Sequence, residues 1–335
     1  MSVPLRQKLA VFSYLMRQRM RGRKKYPLVL QLEPLYQCNL ACAGCGKIQH
    51  NDEVLARRLS VQQCIDAVEE CGAPIVSIAG GEPLIHKEIG EIAAAIIERK
   101  RFVYLCTNAI MMRRKLDQFK PSTYFAWSVH IDGLRERHDE SVCRDGIFDQ
   151  AVAAVREAKQ RGFRVTTNST FFGQDDANSI RGVLDFLNDE LGVDMMQIAP
   201  GFAYEKAPDQ EHFLGVERTR AIFREAFRGG RRGKWRLNHS PLYLDFLEGK
   251  RDFSCTAWGI PSYSVLGWQR PCYLMSDAPY AKSYKELVED TQWELYGRGR
   301  HAKCENCMAH CGYEPTAVEA TMGSLKEMVR AAVLK

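Results

Sequence analysis

Between residues 28 and 199 short apolar runs alternate with helical periodicity, and this alternation constrains the fold more than any other feature of the chain. The runs 28–32, 75–79, 102–106, 124–131, 163–168 and 194–199 have the length and composition of buried strands. Helices are predicted between them: Ser60 and Gln63 form a capping box before one that runs to Cys71, and others cover 86–100, 148–161 and 179–191. Strands separated by single helices pair in parallel, so the pattern predicts an α/β fold of six βα units closed wholly or partly into a barrel. Chemistry in such a barrel collects at the carboxyl ends of the strands. Cys64 and Cys71, on the first of these helices, read as core residues. The alternation stops near residue 202, and Gly229-Gly230-Arg231-Arg232-Gly233-Lys234 reads as a flexible basic link. The expected organisation is a basic amphipathic helix over 1–26, the partial barrel over 27–228 and a cysteine-rich extension over 229–335.

The first strand runs into three thiols spaced C-x3-C-x2-C, Cys38, Cys42 and Cys45. A 4Fe-4S cube takes four ligands, so a trio on one loop leaves one iron open to a small molecule. Zinc would want a fourth ligand to close its tetrahedron, and His50 is the nearest. Core packing is the weakest reading, because Tyr36, Asn39 and Gly44 make the segment a loop. The second strand ends in Gly80-Gly81-Glu82-Pro83, where two glycines let backbone approach a ligand and a carboxylate can accept from an ammonium. Later strands end in Cys106-Thr107-Asn108, His130-Ile131-Asp132-Gly133, Thr167-Asn168-Ser169 and Ala199-Pro200-Gly201. Each group alone could serve its own turn, but polar residues at successive strand ends point to a shared site.

Twelve cysteines in 335 residues do not suit a small disulfide scaffold, and their clustering points to metal ligation in a reducing compartment. Five lie downstream, Cys255, Cys272, Cys304, Cys307 and Cys311, one more than a cube needs; an iron-sulfur cluster and zinc are both open as occupants. The net charge of +6 is concentrated at the amino end, where residues 1–25 hold no acidic residue. Leu5, Leu9, Phe12, Met16 and Met20 recur there at helical spacing among eight arginines and lysines. Such a helix either lies on an anionic membrane surface or caps the domain with its apolar side. No nucleic-acid motif accompanies the charge, no signal-peptide core follows the start, and no run approaches the ~20 apolar residues of a membrane span. The expected location is the cytoplasm, with peripheral contact on the inner face of the membrane through residues 1–25.

The C-x3-C-x2-C loop, followed one βα unit later by Gly80-Gly81-Glu82-Pro83, resembles the signature of the radical S-adenosylmethionine (SAM) superfamily. The resemblance implies a partial (β/α)6 TIM-like barrel and a 4Fe-4S cluster on Cys38, Cys42 and Cys45 that chelates SAM. It also implies SAM contacts from Gly80, Gly81, Glu82, Pro83, Thr107, Asn108, His130, Asp132, Asn168 and Pro200. Relatives often carry serine in place of His130, while Asp132 fits a ribose or amine contact. The downstream cysteines resemble a shortened twitch or SPASM extension, which implies at most one auxiliary 4Fe-4S cluster on four of the five thiols.

Longer segments, EPLYQCNLACAGCGKIQH (33–50), SIAGGEPL (77–84), VHIDGLRERHDE (129–140) and YEKAPDQEHF (204–213), resemble the radical SAM enzymes of hopanoid biosynthesis, the adenosylhopane synthases. What this implies is addition of the 5'-deoxyadenosyl radical to the terminal alkene of diploptene, with a flavodoxin or ferredoxin as electron donor. Met195, Met196, Phe202, Tyr204, Trp258, Tyr263 and Trp268 are apolar residues that could line a pocket for such a lipid. Addition leaves a tertiary carbon radical, and transfer of hydrogen from a thiol to that carbon is downhill. Cys106, on the strand face shared with Phe102 and Tyr104, is the expected donor. The alternative is a peptide-modifying enzyme that abstracts hydrogen and releases 5'-deoxyadenosine.

Overall fold

Six strands follow the predicted runs closely: β1 (Val29–Glu33), β2 (Ile75–Ile78), β3 (Phe102–Thr107), β4 (Phe125–His130), β5 (Val165–Phe171) and β6 (Met195–Pro200). The computed structural model describes residues 3–202, 204–275 and 278–333, so the outermost expected domain limits, 1 and 335, lie outside the described residues. The strands pair in parallel in chain order, with Ile75 opposite Val29 and Phe102, Val103 opposite Phe125, Trp127 opposite Val165 and Thr166 opposite Met195. Successive side chains point to opposite faces of a strand. Leu30, Leu32, Val76, Ile78, Val103, Leu105, Trp127 and Val165 occupy one face, in the main core with the helices Val61–Cys71, Ile89–Glu98 and Ile147–Gln160. The opposite face carries Gln31, Ser77, Tyr104, Cys106, Ser128, His130 and Asn168, so the sheet is apolar outside and polar inside. The predicted capping box forms with hydrogen bonds of 3.2 and 2.8 Å, and Cys64 and Cys71 behind it are buried.

Three further strands complete a sheet of nine: β7 (Ser262–Ser264), β8 (Gly267–Arg270) and β9 (Ala278–Ala281). β7 adds in parallel to the edge of β1, with Ser262 opposite Gln31, and β8 and β9 follow antiparallel. The region beyond residue 202 therefore extends the barrel sheet. It also takes up residues expected in a pocket. Trp268 is fully buried between Tyr263 and Tyr284, at 4.8 and 5.2 Å, and donates its indole hydrogen to Glu70; Met196 faces the helices in the main core.

Segment 229–234 is not a free link, because it lies in the 3-10 turns Arg228–Lys234. Arg232 donates to Asp245 Oδ1 at 2.8 Å and to Pro241 O at 2.6 Å. Arg330 reaches the same carboxylate at 2.7 and 3.0 Å, which joins the helices Pro241–Leu247 and Leu325–Val333.

Helix α1 (Leu5–Met20) packs in the orientation opposite to a cap with its apolar stripe inward. Tyr14 and Leu15 meet Tyr26 and Leu28; Val11, Val318 and Met322 pack against that cluster, and the Gln7 amide bonds to the Tyr104 hydroxyl at 2.9 Å. Leu5, Leu9, Phe12, Met16 and Met20 remain exposed. Among the described residues no helix is long and apolar enough to cross a membrane.

Asp245 is 2% exposed and offsets several guanidiniums. Burial alone would raise its carboxyl, but hydrogen bonds from Arg330 and Arg232 hold it below the ordinary range. Its contribution to stability is thus present above the unfolded-state pKa of about 3.9 and is lost as pH falls through the depressed folded value. Asp245→Ala is expected to cost about 3 kcal/mol in urea unfolding at neutral pH, because it strands charges whose partner is gone. A change within experimental error would show that the arginines are satisfied by solvent.

Candidate active site at the strand ends

The end of β2 is shaped by how closely the cysteine loop crosses it. A Cβ on Gly80, whose φ is +111°, would stand 2.2 Å from Leu35 O. One on Gly81 would stand 2.1 Å from Gln37 O and 2.5 Å from Tyr36 O. What approaches these glycines is the chain's own backbone, where the sequence suggested a ligand. Gly81 N donates to Leu35 O at 3.0 Å and Glu82 N to Gln37 O at 2.9 Å, fastening the loop immediately before Cys38.

Glu82, 1% exposed, extends that fastening to the next strand. Its Oε1 accepts from Thr107 Oγ1 (2.9 Å) and Leu84 N (3.0 Å), and its Oε2 from Asn108 N (2.8 Å). Burial pushes the carboxyl up to about 7 in spite of these donors. Asn108 in turn donates from Nδ2 to Asn39 Oδ1 at 2.8 Å, with Cys38 Sγ at 3.9 Å. The acceptors of Glu82 are thus engaged inside the protein, tying β2, β3 and the cysteine loop together. Pro83 opens the 3-10 turn Pro83–Ile85 that follows.

Cys38, Cys42 and Cys45 are free thiols on one loop. Burial pushes Cys38 up to about 11, and it raises Cys42 and Cys45 as well, with neighbouring thiols adding to the rise at Cys42. Leu40 N donates to Cys38 Sγ at 3.4 Å. Among the described residues no three His, Cys, Asp or Glu side chains converge on a point that a lone metal ion would fill. Three coupled thiols beside the strand ends fit the ligand set of a cluster held by three protein ligands.

At the end of β4, His130 Nε2 lies 2.6 Å from Asp132 Oδ2. Asp132 also accepts from Thr170 N (2.8 Å) and Ser141 Oγ (3.1 Å), while its own N–H donates to His138 Nδ1 (3.2 Å). With Asp132 3% exposed and the His130 side chain 30% exposed, it is His130 that faces the barrel interior and Asp132 that orients it. Burial by itself would lower His130, but the Asp132 carboxylate outweighs it and the imidazole is raised above its ordinary value. Burial, reinforced by His130, drives His138 down to about 4. Asn168, opposite His130 across β4 and β5, has a buried Oδ1 with no partner inside the protein, an acceptor left for a ligand. Pro200 is buried at the end of β6, opposite Phe171.

Cys106 faces the same interior, with Sγ 3.5 Å from Ser77 Oγ and with Ser128 opposite it on β4. Burial raises its thiol against the pull of both serines, so it keeps its hydrogen at neutral pH. Downstream, Cys255, Cys272, Cys304 and Cys307 line one small cavity together with Phe202 and Tyr313. Cys311 is 7% exposed and belongs to an apolar cluster with Ile260, Leu274 and Ala309.

The sequence reading missed what lies between the two groups of thiols. Lys47, two residues after Cys45, sits 3.1 Å from Glu33 Oε2, 3.2 Å from Gln269 Oε1 and 3.8 Å from the Tyr273 ring centre. Tyr273 follows Cys272 and meets the Tyr204 ring at 5.7 Å, and Tyr204 backs directly onto Gly46. Its proximity to Cys45 is the one signal in the sequence that could have singled out Lys47.

Two outcomes test this geometry. Gly81→Ala is expected to displace the cysteine loop, so anaerobic reconstitution should incorporate well under half the parental iron while circular dichroism stays native; parental iron content would refute the close-contact argument. In Asp132→Asn the balance at His130 reverses, because burial stays and the carboxylate goes. Its imidazole should then titrate below about 6.5 by NMR where the parent titrates above it. An unmoved titration would mean that another group sets it.

Residues 32–187 match the family model of the radical SAM superfamily, and residues 196–331 match a domain of unknown function, DUF3463. Fe-coproporphyrin III synthase of Methanosarcina barkeri is 27% identical over 158 residues, 46% of this chain and 39% of that protein. Mycofactocin maturase MftC of Mycolicibacterium smegmatis is 30% identical over 141 residues, 41% of this chain and 36% of that one. The chain thus spans well under half the length of these two relatives. The solved structure of Streptococcus suis SuiB bound to its precursor peptide SuiA superposes with a TM-score of 0.67 at 16% identity, covering 88% of this chain and 73% of that one, a likeness of fold. Radical SAM proteins work with a 4Fe-4S cluster and SAM, and residues 32–187 of this chain, which carry the strand-end geometry described above, form a radical SAM domain.

Proposed function

We propose that this enzyme joins the 5'-deoxyadenosyl group of SAM to the terminal alkene of diploptene, giving adenosylhopane. The observation that carries the reading is Cys106, a protonated thiol inside the barrel beside Ser77, because addition to an alkene needs a hydrogen donor at the site and simple abstraction does not. The four long segments resembling adenosylhopane synthases support it; the cavity of about 490 Å³ beside Phe202 is bordered by Phe213, Leu214, Leu274 and Met275 but equally by Glu205, Gln210, Lys303 and Asn306, so its lining does not select a hydrocarbon.

Cys38, Cys42 and Cys45 would hold the SAM-binding cluster, and Cys255, Cys272, Cys304 and Cys307 an auxiliary one. When bound, the cluster and SAM supply methionine and a 5'-deoxyadenosyl radical on one-electron reduction. Asn168 and His130 would receive polar groups of SAM, a role that the unpartnered Asn168 Oδ1 and the half-buried His130 ring support, and Asn108 and Glu82 would hold the loop that positions it. Cys106 then gives its hydrogen atom to the adenosylated carbon radical, so that an S–H bond breaks and a C–H bond forms. The thiyl left behind returns to thiol with one electron and one proton, the electron from a donor of the flavodoxin or ferredoxin class.

A second reading has its own support. The mycofactocin relative is a maturase and the SuiB structure holds a precursor peptide, so the comparisons favour a peptide-modifying enzyme that releases 5'-deoxyadenosine. Product mass after a single anaerobic turnover with SAM, reductant and diploptene separates the two, since only the synthase retains adenosine in its product. Cys106→Ala is expected to consume SAM yet yield less, or wrongly quenched, adenosylhopane, and in deuterium oxide the parent should place one deuterium on the quenched carbon. Parental yield and stereochemistry in the variant would remove Cys106 from the reaction.

A further inference from the structure

We infer that α1 docks the protein on an anionic membrane through its outward apolar stripe. Leu5, Leu9, Phe12, Met16 and Met20 are 70, 58, 45, 38 and 76% exposed. At 3.6 residues per turn they fall within an arc of about 80°, one continuous strip along the helix. They are five of the nine large apolar side chains exposed among the described residues. Two more, Leu325 and Val329, lie on the helix Leu325–Val333, which follows the helix His310–Met322 packed beside α1.

The inner side of α1 is fully used. Tyr14 and Leu15 are in a buried cluster, Gln7 and Gln18 are buried, and Arg19 donates to the carbonyls of Glu319 and Met322. The exposed strip is therefore left over after the helix has packed, and folding does not require its residues to be apolar. Monomeric proteins rarely leave such a strip in water.

Charge selects the occupant. By helical spacing Arg17 flanks one edge of the strip and Lys8 the other, and Arg21, Arg23 and Lys24 continue from its end, while Arg6 and Arg19 are engaged with Tyr124 and with the carbonyls of Glu319 and Met322. No acidic residue occurs before Glu33. An apolar strip between two cationic edges matches a bilayer whose headgroups are negative, with the side chains entering the acyl boundary and the cations meeting phosphate. A second copy of the chain would bring the same cations against each other. The inference rests on α1 alone and stands whichever substrate the barrel takes.

The test uses the full-length, cluster-reconstituted protein and sedimentation with vesicles of phosphatidylcholine alone or mixed with phosphatidylglycerol. The parent should partition onto the mixed vesicles, weakly onto the neutral ones, and less as salt rises. Leu9→Glu with Phe12→Glu should lower partitioning about tenfold or more with little change in the unfolding transition, since both side chains lie outside the buried cluster that Tyr14 and Leu15 form. Lys8→Glu with Arg17→Glu, which keeps the strip intact, should abolish the preference for anionic vesicles. Equal partitioning of the parent and the Leu9/Phe12 variant overturns the inference. So does a parental dimer in light scattering that the same substitutions dissociate while vesicle binding is unmoved. Neither result bears on product mass, so failure here and failure of the proposed reaction are distinguishable.

Discussion

The contact on which the site depends is the passage of the Leu35–Gln37 backbone over Gly80 and Gly81. Those carbonyl oxygens occupy the space that side chains at the two glycines would fill. The approach places the cysteine loop against the ends of the strands instead of above them. Glu82 then transmits that placement sideways, because one buried carboxylate binds the end of β2 and the turn of β3, and Asn108 carries the connection back to Asn39 beside Cys38. The glycine pair and its glutamate therefore act as structural parts of a ligand site. A carboxylate with its acceptors so engaged is rigid, and rigidity is what a site needs when it must fix the direction of a reactive group.

Chemically identical side chains acquire different roles here through their surroundings. Cys64 and Cys71 are buried among apolar residues of a helix and contribute packing. Cys38, Cys42 and Cys45 share a loop where burial, with neighbouring thiols adding to it at Cys38 and Cys42, disfavours their thiolates, a cost that positive iron would offset. Cys106 stands alone between serines on the inner face, where burial preserves the S–H bond. Lys47 adds a fixed positive charge between the two groups of thiols, paired to Glu33 and laid on Tyr273, and burial limits how far solvent can screen it.

Much of the barrel is legible in the sequence because a buried parallel strand needs several apolar residues, and five of the six left that trace, whereas β5 carries Thr166, Thr167, Asn168, Ser169 and Thr170 between Val165 and Phe171. β7 to β9 are three or four residues long and include Ser262, Ser264, Gln269 and Arg270, so they carry no such trace; β7 is fixed by pairing with β1, and β8 and β9 by pairing in turn. The capping box at Ser60 is local and readable, whereas the links from Glu82 to Asn108 and from Asp132 to Thr170 span 26 and 38 residues and exist only once strands align. At β4 the sequence marks both His130 and Asp132 but cannot say which faces inward; a step of two residues at the very end of a strand decides it. For α1 periodicity finds the apolar stripe, yet Val11, Tyr14 and Leu15 form a second apolar side, and which one meets the body of the protein is a matter of tertiary fit.

That fit gives α1 a bearing on the chemistry. Its Gln7 amide reaches the Tyr104 hydroxyl, two residues before Cys106 on the same inner face, and Arg6 lies 4.9 Å from the Tyr124 ring centre, which stacks with Phe102 at 4.8 Å. These contacts sit at the amino ends of β3 and β4, opposite the cysteine loop. The helix thus covers part of that end of the sheet, away from the strand carboxyl ends, and Phe202, just beyond β6, borders the larger cavity. The same helix that turns an apolar strip outward therefore meets the inner face of β3 with its other side, and both depend on the single orientation fixed by Gln7, Tyr14 and Leu15.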